Sequence, residues 1–202
     1  MRPVGGQWSD WKQQIADQCD GRCVYCAIVE SRFGGIRNFH VEHFRPKKRF
    51  EALENEIANL YLACAICNVL KGDDWPADPA SDHSVATYPD PALTDYNKLL
   101  SISPTTHEVA AVTLSGKYVI ERVLLNRAQL ILERRLSAAL TFLSDFEAWV
   151  QGAVAEMSSD ELREVIDVLV AVSRARTTVL AARPYRDSDA KRQVKAKVRK
   201  KR

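Results

Sequence analysis

The sequence predicts an α+β fold: a small strand-strand-helix module stapled by cysteines, then a small β-hairpin or sheet, then two long helices. Three observations predict it. Two Cys-x2-Cys pairs, Cys23/Cys26 and Cys64/Cys67, enclose 37 residues that include strand-like segments. Short strand-like runs, two of them joined by a Ser115-Gly116 turn, follow near residue 110, and two apolar stripes at helical spacing occupy residues 127–182. The chain divides accordingly into a leading helix (residues 1–22), the cysteine module (23–72), a loop and small sheet (73–125), a helical pair (126–185) and a basic tail (186–202) predicted to be disordered.

In residues 8–18, Trp8, Trp11 and Ile15, with Cys19 beyond them, keep a 3-4-4 spacing that predicts a short amphipathic helix, broken by Asp20-Gly21. Phe33-Gly34-Gly35 marks a turn into a strand over residues 36–44, which Pro46 ends by withholding a backbone donor. Residues 50–58 pattern as a helix through Leu53 and Ile57. Residues 60–63 form a short apolar strand, and residues 64–70 a helix closed by Gly72. The proline- and aspartate-rich stretch 73–91 reads as an ordered loop.

Residues 99–103, 109–114 and 117–120 read as strands, the last two joined by a Ser115-Gly116 turn. Asn126 is placed to cap a helix over 127–151, striped by Leu132, Leu136, Leu140, Leu143, Phe146 and Val150, with Gly152 just past its end. Ser158 and Glu161 have capping-box spacing for a second helix reaching residue 182, and the two helices are expected to pair antiparallel. Ile131, Ala138, Ala139, Phe142 and Trp149 on the first helix, and Val168, Val170 and Ala171 on the second, fall outside those stripes. Either the sheet and cysteine module cover this excess, or a second copy (a homodimer) or a partner subunit does.

At 46% hydrophobic residues the chain folds, and global disorder is excluded. Residues 1–6 lack the apolar run of a signal peptide, and no membrane-length apolar stretch follows, which predicts a cytoplasmic protein with no membrane association. The cysteine spacing fits a reducing compartment. Residues 191–202 carry eight basic and no acidic residues, so removing them from the +3 total leaves −5 for the other 190. That tail is a candidate for non-specific affinity toward nucleic acid.

Two Cys-x2-Cys pairs can place four thiolates tetrahedrally about one Zn²⁺, the closed arrangement of a structural site. Cys19 is left as a free thiol. It is an alternative ligand, but Cys19 and Cys23 stand at the less usual Cys-x3-Cys spacing. Between the pairs lie Glu42-His43-Phe44-Arg45-Pro46-Lys47 and Asn59, and the second pair runs into Cys67-Asn68-Val69-Leu70-Lys71-Gly72.

These residues resemble an HNH endonuclease of the zinc-stapled kind. The resemblance implies a ββα-metal site with an acidic residue and histidine on one strand (Glu42, His43), a central asparagine (Asn59) and a Cys-Asn-x-x-Lys-Gly segment (Cys67 to Gly72). The segment from Glu42 to Lys47, with Leu124-Leu125-Asn126-Arg127 and residues 130–134, is also similar to the HNH component of Septu-type and retron-associated anti-phage systems. That implies DNA as substrate and a partner ATPase.

Phosphodiester hydrolysis needs an activated water on one side of phosphorus and charge stabilisation of the leaving oxygen on the other. His43 is the candidate base. Glu42 and Asn68 offer hard oxygens for Mg²⁺ or Mn²⁺, and Asn59 is expected to hold the loop that orients His43. Arg45, Lys47 and Lys71 are candidate phosphate contacts. His40 shares the Glu42 face of a regular strand and is either an additional ligand or a solvated histidine. His83 and His107 read as solvated, and Trp75-Pro76 either covers the site or anchors a loop. Asn68 stands where the family name has its last histidine, which weakens binding of transition metals there. Two rival functions keep the same residues: a zinc-stapled nucleic-acid-binding or adaptor module without activity, and an RNA-cleaving toxin nuclease.

Overall fold

The computed structural model describes residues 6–153 and 157–181; the basic tail lies outside them. A single turn of 3-10 helix, Trp8–Trp11, runs into α1 (Lys12–Gln18), whose Ile15 and Ala16 are buried against the strands that follow. Left-handed backbone at Asp20 and Gly21 ends the helix and turns the chain toward the first cysteine pair.

β1 (Phe39–His43) and β2 (Leu60–Cys64) pair antiparallel, with Phe39 opposite Cys64 and His43 opposite Leu60. β1 is shorter than the predicted strand. Gly34 and Gly35 have positive φ, and the Asn38 carboxamide donates to the Phe33 carbonyl at 2.8 Å, winding Ile36–Asn38 into a 3-10 turn. α2 (Ala65–Lys71) begins directly after β2. The Cys64 sulfur caps it by accepting from the Cys67 amide, and Gly72, at φ 53°, closes it. α2 packs on both strands.

The predicted helix over 50–58 is replaced by two 3-10 turns, Glu51–Leu53 and Ile57–Asn59. A continuous helix would need the Leu53 and Glu54 carbonyls for its own amides. Here Asn59 Nδ2 donates to Leu53 O and the His43 ring binds Glu54 O, so side chains take what the helix would have used.

β3 (Leu100–Ile102) and β4 (Val109–Ala111) form a second two-stranded sheet. The predicted strand at 117–120 and its Ser115-Gly116 turn are instead part of α3 (Leu114–Arg122). Thr113 caps it, accepting from the Gly116 amide at 3.1 Å, and buried Ser115, Val119 and Val123 recur every fourth residue. Gly116 serves packing: a Cβ there would lie 2.4 Å from the Leu99 carbonyl oxygen.

α4 (Ala128–Ala153) contains Gly152 rather than stopping before it. Asn126 is not spent as a cap; its carboxamide exchanges two hydrogen bonds with the Val109 main chain, at 2.7 and 2.8 Å. α5 (Ser159–Ala181) carries the predicted capping box, with Ser158 N donating to Glu161 at 2.8 Å. It contacts α4, and Arg176 pairs with Glu147 at 2.7 Å.

One hydrophobic core joins Ile15, Phe39, Leu62, Leu70, Tyr88, Val119, Val123 and Leu130, crossing from the cysteine module into the start of α4. Further along, Phe142, Trp149, Ile166, Val168 and Val170 are exposed, so neither the sheet nor the cysteine module covers that face among the described residues. No helix among these residues is long and apolar enough to cross a membrane.

Candidate active site and metal centre

The β1–β2 hairpin and the N-terminus of α2 bring the four cysteines together. The sulfurs of Cys23, Cys26, Cys64 and Cys67 all lie within 4.8 Å of one another, with Cys26 and Cys64 at 3.9 Å. Zinc bound at about 2.3 Å by four sulfurs needs them roughly 3.8 Å apart, so this donor set fits Zn²⁺. Cys19 is half-buried outside the cluster, and burial pushes its thiol pKa up.

Against the sulfurs lies a side chain from far along the chain. Arg127, 1% exposed, directs Nη2 at Cys67, Cys26 and Cys64 at 3.5, 3.7 and 4.0 Å. Its Nη1 donates to the Val123 carbonyl at 2.8 Å.

His43 closes β1 and is nearly buried. Its Nε2 lies 3.0 Å from the Glu54 carbonyl oxygen. A carbonyl can only accept, so Nε2 carries the proton and Nδ1 keeps the lone pair. The Trp8 ring stands edge-on to the imidazole, with centroids 5.0 Å apart. Burial lowers the His43 pKa; the Glu54 carbonyl opposes this, and the positive charges of Lys47 and Lys71 add to it. The neutral imidazole is therefore the favoured form.

Asn59 works through the backbone around His43. Its Oδ1 accepts from Arg45 N at 2.8 Å, while Nδ2 donates to the carbonyls of Arg45 at 3.1 Å and Leu53 at 3.2 Å. One carboxamide thus ties the segment after His43 to the loop whose next carbonyl holds the ring.

Glu42 and Lys71 occupy a different place from the one their residue types suggest. Lys71 is fully buried; its Nζ lies 2.6 Å from Glu42 Oε1 and donates to the His43 carbonyl at 3.0 Å. Tyr25 also donates to Glu42 Oε1, at 3.2 Å. Burial raises the Glu42 pKa and Lys71 pulls it back down. Lys71 in this geometry is the counter-ion of Glu42, with no exposed surface of its own.

Asn68 is half-buried on α2, three residues before Lys71 and so on the neighbouring strip of helix surface. Glu42 and Asn68 offer oxygen donors of the kind a hard divalent cation takes, although Oε1 of Glu42 is engaged by Lys71. His40 lies on the Glu42 side of the strand and is exposed.

Arg45 and Lys47 are partly exposed. Arg45 pairs with Asp78 at 3.7 Å, and Lys47 pairs with Glu54 at 3.1 Å and sits 4.6 Å from the Trp8 ring centre. Such exposed pairs contribute only about 0–1 kcal/mol, so a phosphate can exchange for either carboxylate. Trp75 is 4% exposed, edge-on to Phe44 with centroids 4.9 Å apart, and anchors its loop in the core. His83 and His107 are half-buried loop residues with positive φ, away from the β1–β2 hairpin in sequence.

Sequence reasoning assigned no role here to Tyr25, Glu54 or Arg127, and gave Trp8 only a place on a helix stripe. Glu54 acts through its main chain, which no residue type reveals. Arg127 belongs to the Leu-Leu-Asn-Arg segment, the one signal that pointed at it.

No curated protein and no solved structure matches the chain. Residues 23–74, from the first cysteine pair to just beyond α2, match the family model described as HNH endonuclease, and it is to that domain that this strand, strand, helix and four-cysteine site is similar.

Proposed function

We propose that the protein is a metal-dependent endonuclease that hydrolyses phosphodiester bonds of DNA, with His43 as the general base. The observation that carries this reading is the 3.0 Å contact between His43 Nε2 and the Glu54 carbonyl, which fixes the ring and leaves Nδ1 to take a proton. Nδ1 would deprotonate a water attacking phosphorus in line with the departing 3′ oxygen. Asn59 and Glu54 hold the base in place, while Arg45 and Lys47 draw in the phosphate backbone by exchanging their carboxylate partners. Glu42 and Asn68 are the residues that would hold Mg²⁺ or Mn²⁺, which, when bound, stabilises charge on the leaving oxygen. Zn²⁺ at the four cysteines is structural, because all four positions are filled by protein sulfur.

The resemblance of the Glu42–Lys47 and Leu124–Arg127 segments to Septu-type and retron-associated nucleases supports a finer reading, an anti-phage effector working with a partner ATPase. The exposed Phe142, Trp149, Ile166, Val168 and Val170 offer apolar surface for such a subunit or for a second copy.

Purified protein incubated with supercoiled plasmid, single-stranded DNA and RNA, each with Mg²⁺, Mn²⁺ or chelator, tests the proposal. Metal-dependent nicking of plasmid that is lost in His43→Ala is the expected result. Cleavage of RNA alone would favour a toxin nuclease. Binding without cleavage, repeated in the presence of the neighbouring gene product, would favour an adaptor.

A further inference from the structure

Arg127 presents a charge problem. Its guanidinium is almost wholly buried, Nη1 is spent on the carbonyls of Val123 and Leu124, and Nε has no partner among the described residues. Burying a cation is costly unless an anion is close. No described salt bridge joins Arg127 to a carboxylate, and Nη2 contacts three sulfurs instead. Neutral thiols cannot balance a guanidinium. Four thiolates around one Zn²⁺ can, because they leave a doubly negative cluster.

We propose that Arg127 is the outer-sphere counter-cation of the cysteine site, a positioning residue that halves the excess negative charge of the zinc-thiolate cluster and holds three of its four sulfurs in place. This rests on reading the four cysteines as a zinc site. Arginine suits the position because it stays protonated when buried, and its forked head lets one nitrogen anchor to main chain while the other reaches the sulfurs. The local backbone delivers it there: Leu124, at φ 52°, turns the chain out of α3, so that the side chain of Arg127 folds back onto the Val123 carbonyl and the sulfurs. Cys26 comes from the first knuckle, Cys64 from the end of β2 and Cys67 from α2. A single guanidinium therefore joins three segments of the module to the entry of α4. Deleting a group in contact with metal ligands typically costs about 10- to 100-fold in metal affinity, and the same range is expected here.

The experiment uses full-length protein. Zinc content of the wild type is measured first, then zinc affinity by chelator competition, and the thiolate-to-cobalt charge-transfer bands after Co²⁺ exchange, for wild type, Arg127→Gln and Arg127→Lys. Expected are one zinc per wild-type chain, about 10- to 100-fold weaker binding with displaced charge-transfer bands in Arg127→Gln, and affinity largely recovered in Arg127→Lys, which keeps the charge. A wild type without zinc would overturn the metal reading itself. A zinc-bound wild type with Arg127→Gln equal to it in affinity and spectrum would overturn this proposal alone. If Arg127→Gln gives no folded protein, Arg127→Lys decides. A folded lysine variant that keeps its zinc supports the charge role, and one that folds without zinc, or does not fold, assigns Arg127 to shape and overturns it.

Discussion

Lys71 Nζ lies 2.6 Å from Glu42 Oε1, and neither side chain has more than 6% of its surface exposed. The pair links the last turn of α2 to β1 one residue before the candidate base. Removing one member strands a buried charge, so Lys71→Met is expected to destabilise the zinc-loaded protein by about 3–5 kcal/mol. Adding Glu42→Gln removes the stranded charge, and the double variant should recover part of the loss. Denaturant unfolding of the four proteins measures the coupling. Strictly additive losses would mean that the two groups do not sense each other.

As the proposed base, His43 is expected to set the pH dependence of cleavage. Its pKa is lowered by burial and by the nearby lysines, so the neutral base persists below the ordinary histidine value of ~6.5. Cleavage at fixed metal concentration should be flat through neutral pH and fall as pH drops through that lowered value, by about tenfold per unit. Lys47→Met removes a positive charge near the ring and should move the inflection to higher pH. An inflection well above the ordinary histidine value in the wild type would place the base elsewhere.

Asn59→Ala breaks three hydrogen bonds to main chain at one carboxamide. The expected cost is roughly 1–3 kcal/mol, the range for leaving buried partners unsatisfied, together with a fall in kcat larger than any change in KM. Zinc content should not change. A variant with wild-type kcat would show that the loop holds His43 unaided.

The cysteines are expected to divide four to one. Cys64→Ser should release zinc and abolish cooperative melting, whereas Cys19→Ser, outside the cluster, should keep both. Metal analysis and thermal melting of the two variants check this. Zinc lost from Cys19→Ser would bring the fifth thiol into the site.

The cysteine module was legible because its signals are local and chemical: paired knuckles, a glycine stop at Gly72, a proline after the strand. The misread elements failed in two ways: one local signal outweighed another, or side chains took carbonyls that the pattern assigned to a helix. Residues 114–120 look like strand and turn by their Val, Ile, Ser and Gly, yet the capping geometry of Thr113 and the four-residue recurrence of Ser115, Val119 and Val123 make them helix. Residues 50–58 have helical spacing, yet their carbonyls are taken by Asn59 and His43. At the site, residue types indicated which groups to suspect but not what each one touches. Lysine in a nuclease motif suggests phosphate, and only the fold reveals that this one is sealed against Glu42.

Synthesis delivers the parts of the cysteine site out of step. Cys67 and Arg127 touch at 3.5 Å but stand 60 residues apart. At translation rates of about 5–20 residues per second, the last thiolate ligand is made on the order of 3–12 seconds before the guanidinium that lies against it. During that interval a nascent chain already holds every sulfur a metal needs and lacks the cation that offsets their charge. With Arg127 as the counter-cation, exposure to oxidants and to competing soft metals is expected to be greatest then, until the entry of α4 docks.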